Sequence, residues 1–238
     1  SVKVVSSSFL ESNGFILGDT TMDFVNSVFQ MWAYQPARFR DNFILMSGSV
    51  LTSRASTFYW ESIACPNCLV TKGSGSDATR GLGFVGYPRS GYGLPSVRFE
   101  STALGSLDFF EDPLPLQKLW GDPRVFSSDA YTWVQPTDGQ DAVELATILP
   151  NASTTPPGLI AQASVDILLQ RYPIVPGVLV EAVPDAGAGG VNELLNPIDG
   201  SPITLDINGL PRVYANGTRN IGAVQNSDAP ILSATSGD

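Results

Sequence analysis

Thr204-Leu205-Asp206-Ile207-Asn208-Gly209-Leu210-Pro211-Arg212-Val213, followed by Asn216-Gly217-Thr218-Arg219-Asn220-Ile221-Gly222-Ala223-Val224-Gln225, is the stretch whose reading decides the fold. Glycine and proline interrupt its short apolar runs. The same punctuation continues through a chain with 23 Gly and 18 Pro, as in a packed protein with many turns. Upstream, Pro176-Gly177-Val178-Leu179-Val180 and Pro184-Asp185-Ala186-Gly187 lead into it.

Taken in that order, these segments resemble the terminal region of bacterial secreted or surface right-handed parallel β-helix proteins. In that family a P-G-S-P-x-I-D-A-G segment precedes D-x-x-G-x-P-R-V, and the chain closes on D-I-G-A-x-E. Here Asn220 and Gln225 stand where the family pattern has Asp and Glu, and Val178-Leu179 stands in place of its Ser-Pro pair. The resemblance implies that Gly209, Gly217 and Gly222 shape tight turns and that Arg212 pairs with a nearby carboxylate. Both roles belong to folding before function. Residues 2–105 set no rung register, and a β-sandwich or jelly roll explains the same aromatic strands and turns without a repeat. The expected fold class is therefore all-β, parallel β-helix-like, with a β-sandwich or jelly roll as the close alternative.

Working outward, residues 1–9 open with Val2, Val4 and Val5 as a strand. Phe24, Val25, Val28, Phe29 and Trp32 recur at helical spacing, so residues 22–32 are expected as a helix capped from Asp19-Thr20-Thr21. Residues 42–52 and 55–63 read as consecutive strands, and 125–134 as a further strand region. Residues 73–93 form a glycine-rich segment containing Phe84, Tyr87 and Tyr92. It is either a binding loop with aromatic faces or short strands whose aromatics cover core. Gly81-Leu82-Gly83-Phe84-Val85-Gly86 has the wrong spacing for a dinucleotide fingerprint and is set aside. The polar, proline-rich run 151–158 suggests a division into a β-rich core region at 1–150 and a β-rich closing region at 151–238. The latter is a second unit or part of the same domain, with a short helix expected at 159–172.

Composition bounds the function. With 13 Lys and Arg against 23 Asp and Glu, the net charge of -10 repels phosphate backbones, so no nucleic-acid partner is expected. No apolar run approaches the roughly 18–20 residues of a transmembrane helix, so no such helix is expected. Low Lys with abundant Ser, Thr and Gly points to an extracytoplasmic location, secreted or at the cell surface. A start at Ser1 without a leader pattern suits a mature chain or a fragment.

The cysteines form Cys65-Pro66-Asn67-Cys68. Without a histidine or second cysteine pair to complete a zinc tetrahedron, and without a clear following helix, they are read as a local disulfide or two inert thiols. A redox pair and a metal half-site are the alternatives. The absence of histidine removes Ser-His-Asp, Cys-His and H-E-x-x-H chemistry. Paired carboxylates remain: Asp108, Glu111 and Asp112 as an acid and base for glycosides, or these with Asp138 and Asp141, or Asp199, Asp206 and Asn208, around structural calcium. None fits an EF-hand, and no residue is singled out as catalytic, cofactor-binding or metal-ligating. Trp32, Trp60, Trp120 and Trp133 read as core or intersubunit anchors. Asn151-Ala152-Ser153 and Asn216-Gly217-Thr218 fit the glycosylation acceptor pattern.

The functional expectation is a noncatalytic extracytoplasmic structural or adhesive protein, a subunit of a larger surface assembly, whose partner is another protein or a surface carbohydrate. The alternative is a carbohydrate-binding or carbohydrate-processing domain using exposed aromatics and carboxylates.

Overall fold

Ser6, Asn26, Ala55 and Ser101 have backbone φ angles of 46°, 50°, 45° and 48°, in the left-handed region that L-residues seldom enter. Each is followed by a hydroxyl residue: Ser7, Ser27, Ser56 and Thr102. This two-residue device bends the chain sharply between one strand and the next. In a computed structural model, which describes residues 1–12, 15–32, 43–62, 82–108, 117–120, 122–134, 147–153, 183–184 and 192–225, it recurs at the same place in successive turns of the chain.

The strands are β1 (Val2–Val5), β2 (Ser8–Ser12), β3 (Phe15–Leu17), β4 (Thr21–Val25), β5 (Val28–Trp32), β6 (Phe43–Met46), β7 (Val50–Arg54), β8 (Thr57–Ser62), β9 (Leu82–Tyr87), β10 (Ser96–Glu100), β11 (Ala103–Asp108), β12 (Gln117–Trp120), β13 (Phe126–Ser128), β14 (Trp133–Val134), β15 (Val183–Pro184) and β16 (Thr218–Arg219). A first sheet runs β1-β4-β7-β10-β13, a second β14-β11-β8-β5-β2 and a third β12-β9-β6-β3. Every pairing within these three is parallel, and each strand neighbours the one three places later in the chain. Only β15 and β16 pair antiparallel among the described strands. The fold is all-β and built on parallel sheets.

Register explains the core. Phe9, Phe29, Phe58, Leu104 and Val134 align across the second sheet, and Phe15, Phe43 and Phe84 across the third. Their rings meet inside: Phe43 stacks on Phe84 at 4.4 Å between centroids and meets Phe29 edge-on at 4.8 Å. Phe24 and Phe99 of the first sheet complete the cluster, fully buried. Offset and edge-on geometries of this kind add to the burial gained by each ring.

The corner hydroxyls form a second ladder. Ser27 Oγ donates to Val25 O at 2.8 Å and accepts from Ser7 N–H at 3.0 Å, while Ser56 Oγ accepts from Ser27 N–H at 3.2 Å. Thr102 and Thr132 occupy the next corners, with Thr132 Oγ1 donating to Phe99 O at 3.0 Å. At the corner before β14 Asp129 replaces the left-handed residue, and both its carboxylate oxygens accept from Ser101 N–H at 3.0 Å. Buried polar backbone is thereby satisfied where the strands stop.

Three sequence expectations need correction. Residues 22–32 form no helix but two strands, β4 and β5, because left-handed Asn26 and the Ser27 bend turn the chain between Val25 and Val28. The apparent helical spacing arises from Phe24 on one inner face and Phe29 on the next. The strand expected over 42–52 is likewise divided, by the turn at Gly48 (φ 82°), into β6 and β7. Residues 1–9 are divided at Ser6 into β1 and β2. The helix expected at 159–172 and the connector from 154 lie outside the described residues.

The segment 192–225 packs along the outside of the second sheet's leading corner. Ile221, Ala223 and Val224, with Val183, cluster with Val28, Ala103 and Trp133, and Leu194 joins Val25 and Ala55. Hydrogen bonds tie it to three successive turns: Asn26 Nδ2 donates to Leu205 O at 2.9 Å, Ala223 N–H to Thr57 Oγ1 at 2.9 Å, and Gly222 N–H to Ser101 O at 2.8 Å.

Candidate interaction face

The outward residues of the three sheets differ in kind. On the first sheet, Lys3 pairs with Asp23, its register neighbour, and Arg98 pairs with Glu100; this face is ionic and solvated. On the second, Val28, Ala103 and Trp133 are covered by the closing segment.

The third sheet presents Ile16 at 67% exposure, Met46 at 48% and Tyr87 at 47%, with Ile44 half-buried between them. Ile16, Ile44, Val85 and Trp120 lie in one register row, and Met46 aligns with Tyr87 in the next. Among them the described side chains of Ile16, Ile44, Met46 and Tyr87 form an apolar patch on the outward face, the kind of surface that marks an interaction site.

Beside this row the turn after β9 adds Tyr92, 64% exposed, and Leu94. Its shape is fixed from within: Arg89 N–H donates to Ser47 Oγ at 2.5 Å, Gly48 N–H donates to Gly93 O at 3.2 Å, and the Arg89 guanidinium sits 5.3 Å from the Tyr92 ring centroid. That last contact is a cation–π arrangement, which orients both side chains. On the same edge, Asp19 (φ 46°) lies over Gly48; a Cβ at residue 48 would come within 2.7 Å of Asp19 Oδ1. The positive φ favours glycine there, and a Cβ would also displace the Asp19 carboxylate.

The glycine-rich segment thus divides between its two readings. Phe84 is core, stacked on Phe43, whereas Tyr87 and Tyr92 face solvent. Its residues 73–81 lie outside the described residues.

Of the turn glycines, Gly209, Gly217 and Gly222 have φ angles of 81°, 75° and 88°. Arg212 is fully buried and donates through Nη2 to Gly222 O. Asp206 is buried as well. Its Oδ1 accepts from Asn208 N–H and Leu210 N–H, each at 2.8 Å, and its Oδ2 from Gln225 N–H at 2.8 Å. Those three donors use the carboxylate to join two turns, which makes it a structural anchor.

Asp199 is exposed, and its hydrogen bonds from Ser201 hold its pKa below the ordinary value. Asp122 is lowered to about 2 by the Arg124 side chain and backbone N–H. Among the described residues no group of three or more His, Cys, Asp or Glu could hold a metal ion. Cys65, Cys68, Glu111, Asp112, Asp138 and Asp141 lie outside the described residues, as do the side chains of Asp108, Trp32, Trp60 and Trp120. Trp133 is fully buried. Asn151 and Asn216 are both exposed.

Sequence reasoning missed Ile16 and Met46. The signal was present in Phe15-Ile16-Leu17 and Phe43-Ile44-Leu45-Met46, where apolar residues occupy both faces of a strand. Among the described residues no helix is long and apolar enough to cross a membrane. Comparison with protein-family models, curated proteins and solved structures finds no match.

Proposed function

We propose that this chain is a noncatalytic extracytoplasmic structural or adhesive protein, a subunit of a larger surface assembly, and that its three parallel sheets are the faces of a parallel β-helix. The architectural part is supported by the pairing of each strand with the one three places later, as a coil of three-strand turns requires. The functional part rests on the outward row of the third sheet, where Ile16, Ile44, Met46 and Tyr87 offer an apolar surface beside an ionic first sheet. A scaffold whose faces differ in this way is suited to docking through one of them.

Site-specific photo-cross-linking on the producing cells tests the reading. Probes at Ile16 and Tyr87 are expected to capture a protein neighbour in the surface fraction, while probes at Lys3 and Arg98 capture none. Absence of the protein from the surface fraction, or equal capture from both faces, would refute it.

A carbohydrate-binding role is the second reading, favoured by the exposure of Tyr87 and Tyr92 beside Arg89. Aromatic faces next to a hydrogen-bond donor suit a sugar ring. Retention on a polysaccharide panel, abolished by Tyr92→Ala, would support it; no retention on any member would remove it.

A further inference from the structure

Asp19 and Arg89 lie at the same edge of the third sheet, two residues beyond the ends of β3 and β9, with β6 between those strands. Among the described residues neither takes part in an ion pair. Between them the strands β3, β6 and β9 carry no charged residue at all. Across these three strands the described face is an apolar row with one negative and one positive group disposed about β6, and β12, beyond β9, adds Lys118 to the same sheet.

A two-fold axis laid along β6 in the plane of contact keeps the strand direction and reverses the strand order. It sets β3 of one copy over β9 of another. Asp19 then meets Arg89 of the partner subunit, the reciprocal pair forms by symmetry, and Ile44 and Met46 face their own counterparts near the axis. Both charges stay at the same edge because the axis does not exchange the ends of the strands. The stacking of Arg89 on Tyr92 holds the guanidinium in place before contact.

We infer that the outer face of the third sheet is a self-complementary interface and that its occupant is a second copy of this chain. This rests on the docking role proposed above for the same face. Isologous contact through one patch is the commonest way in which identical chains associate, and opposite charges placed about an apolar centre fix its register. Each chain carries a net charge of -10, and among the described residues the strands β3, β6 and β9 carry no carboxylate, which makes their face the place where two copies can approach. At ionic strength near 0.15 M the repulsion between the remaining charges is screened beyond about 8 Å.

Sedimentation equilibrium of the purified chain across a wide concentration range tests the inference. The wild type is expected to show a monomer–dimer equilibrium, and Met46→Glu to remain monomeric with an unchanged melting temperature. Arg89→Asp or Asp19→Arg alone is expected to weaken association by about tenfold, because each sets like charges against one another twice. The double variant is expected to recover most of that loss, an outcome that misfolding could not produce. Arg98→Asp on the ionic first sheet should leave association unchanged. A wild type that is monomeric throughout, or a dimer indifferent to Met46→Glu, overturns the inference. If the chain is monomeric yet the Ile16 probe still captures a different protein on cells, self-pairing fails while the assembly role stands.

Discussion

Gly222 rests directly against Thr57: a Cβ at residue 222 would lie 2.6 Å from Thr57 Oγ1 and 3.1 Å from Ala103 Cβ, at a φ of 88°. Two costs coincide at this position, left-handed strain and overlap with a packed sheet. Gly222→Ala is expected to destabilise the chain by roughly 2–3 kcal/mol, from strain and overpacking together. A lowered urea midpoint at constant slope would show it. A change within experimental error would mean that the closing segment is not held against the second sheet.

Asp206 gathers Asn208 N–H, Leu210 N–H and Gln225 N–H onto one buried carboxylate. Asp206→Ala leaves those donors without their acceptor and is expected to cost about 3 kcal/mol or more. Hydrogen exchange should then accelerate at the amides of Asn208, Leu210 and Gln225 while the amides of β7 and β10 keep their protection. Uniform loss of protection would instead assign Asp206 a global role.

Within the ring cluster, Phe43 touches Phe15, Phe29, Phe58 and Phe84. Phe43→Ala opens a cavity in a fully buried site and is expected to cost roughly 3–5 kcal/mol. Ile16→Ala, on the outward side of the neighbouring strand, should change monomer stability by less than about 0.5 kcal/mol. Comparable losses from the two would reverse the assignment of inner and outer faces.

The Asp122–Arg124 pair supplies a pH prediction. Its carboxyl is lowered from 3.8 to about 2, chiefly by the side-chain hydrogen bond from Arg124. A carboxylate whose folded pKa is depressed contributes stability above its unfolded value and loses it as the pH falls through the folded one, here between pH 3.8 and about 2. The pair is exposed, so the effect on unfolding is small. The readout is a carboxyl NMR titration of Asp122, which should move back toward 3.8 in Arg124→Gln. An unmoved midpoint would show that Arg124 is not its cause.

The strand-rich class and the strands around Phe58 and Phe126 were legible from aromatic and β-branched runs bounded by turn residues. The recurrence of the corner device was harder to read for a physical reason. Its corner residues fall at 6, 26, 55 and 101, intervals that lengthen mainly because residues 33–42 and 63–81 intervene between the second and third sheets and residues 88–95 between the third and the first. A repeat with unequal intervals has no period, although Val-Asn-Ser-Val, Arg-Ala-Ser-Thr and Glu-Ser-Thr-Ala occupy the same corner at 25–28, 54–57 and 100–103. The helical misreading of 22–32 has a related origin: two strands on different inner faces, joined by a two-residue bend, place phenylalanines at intervals that imitate a helix. The apolar outer face of the third sheet was hidden because an apolar strand buried on both sides and one exposed on its outside have the same sequence.

The hydroxyl ladder through Ser7, Ser27, Ser56, Thr102 and Thr132 fixes register at one corner, independently of how far the chain travels before it returns there. Asn13 and Gly14 alone join β2 to β3, whereas residues 63–81 join β8 to β9, yet Phe15, Phe43 and Phe84 still align. Alignment and connection length are thus separate variables in this chain. New sequence can enter between the second and third sheets without disturbing the stacked rings, which makes that corner the natural place for such a lineage to diversify and for a designer to graft a foreign loop.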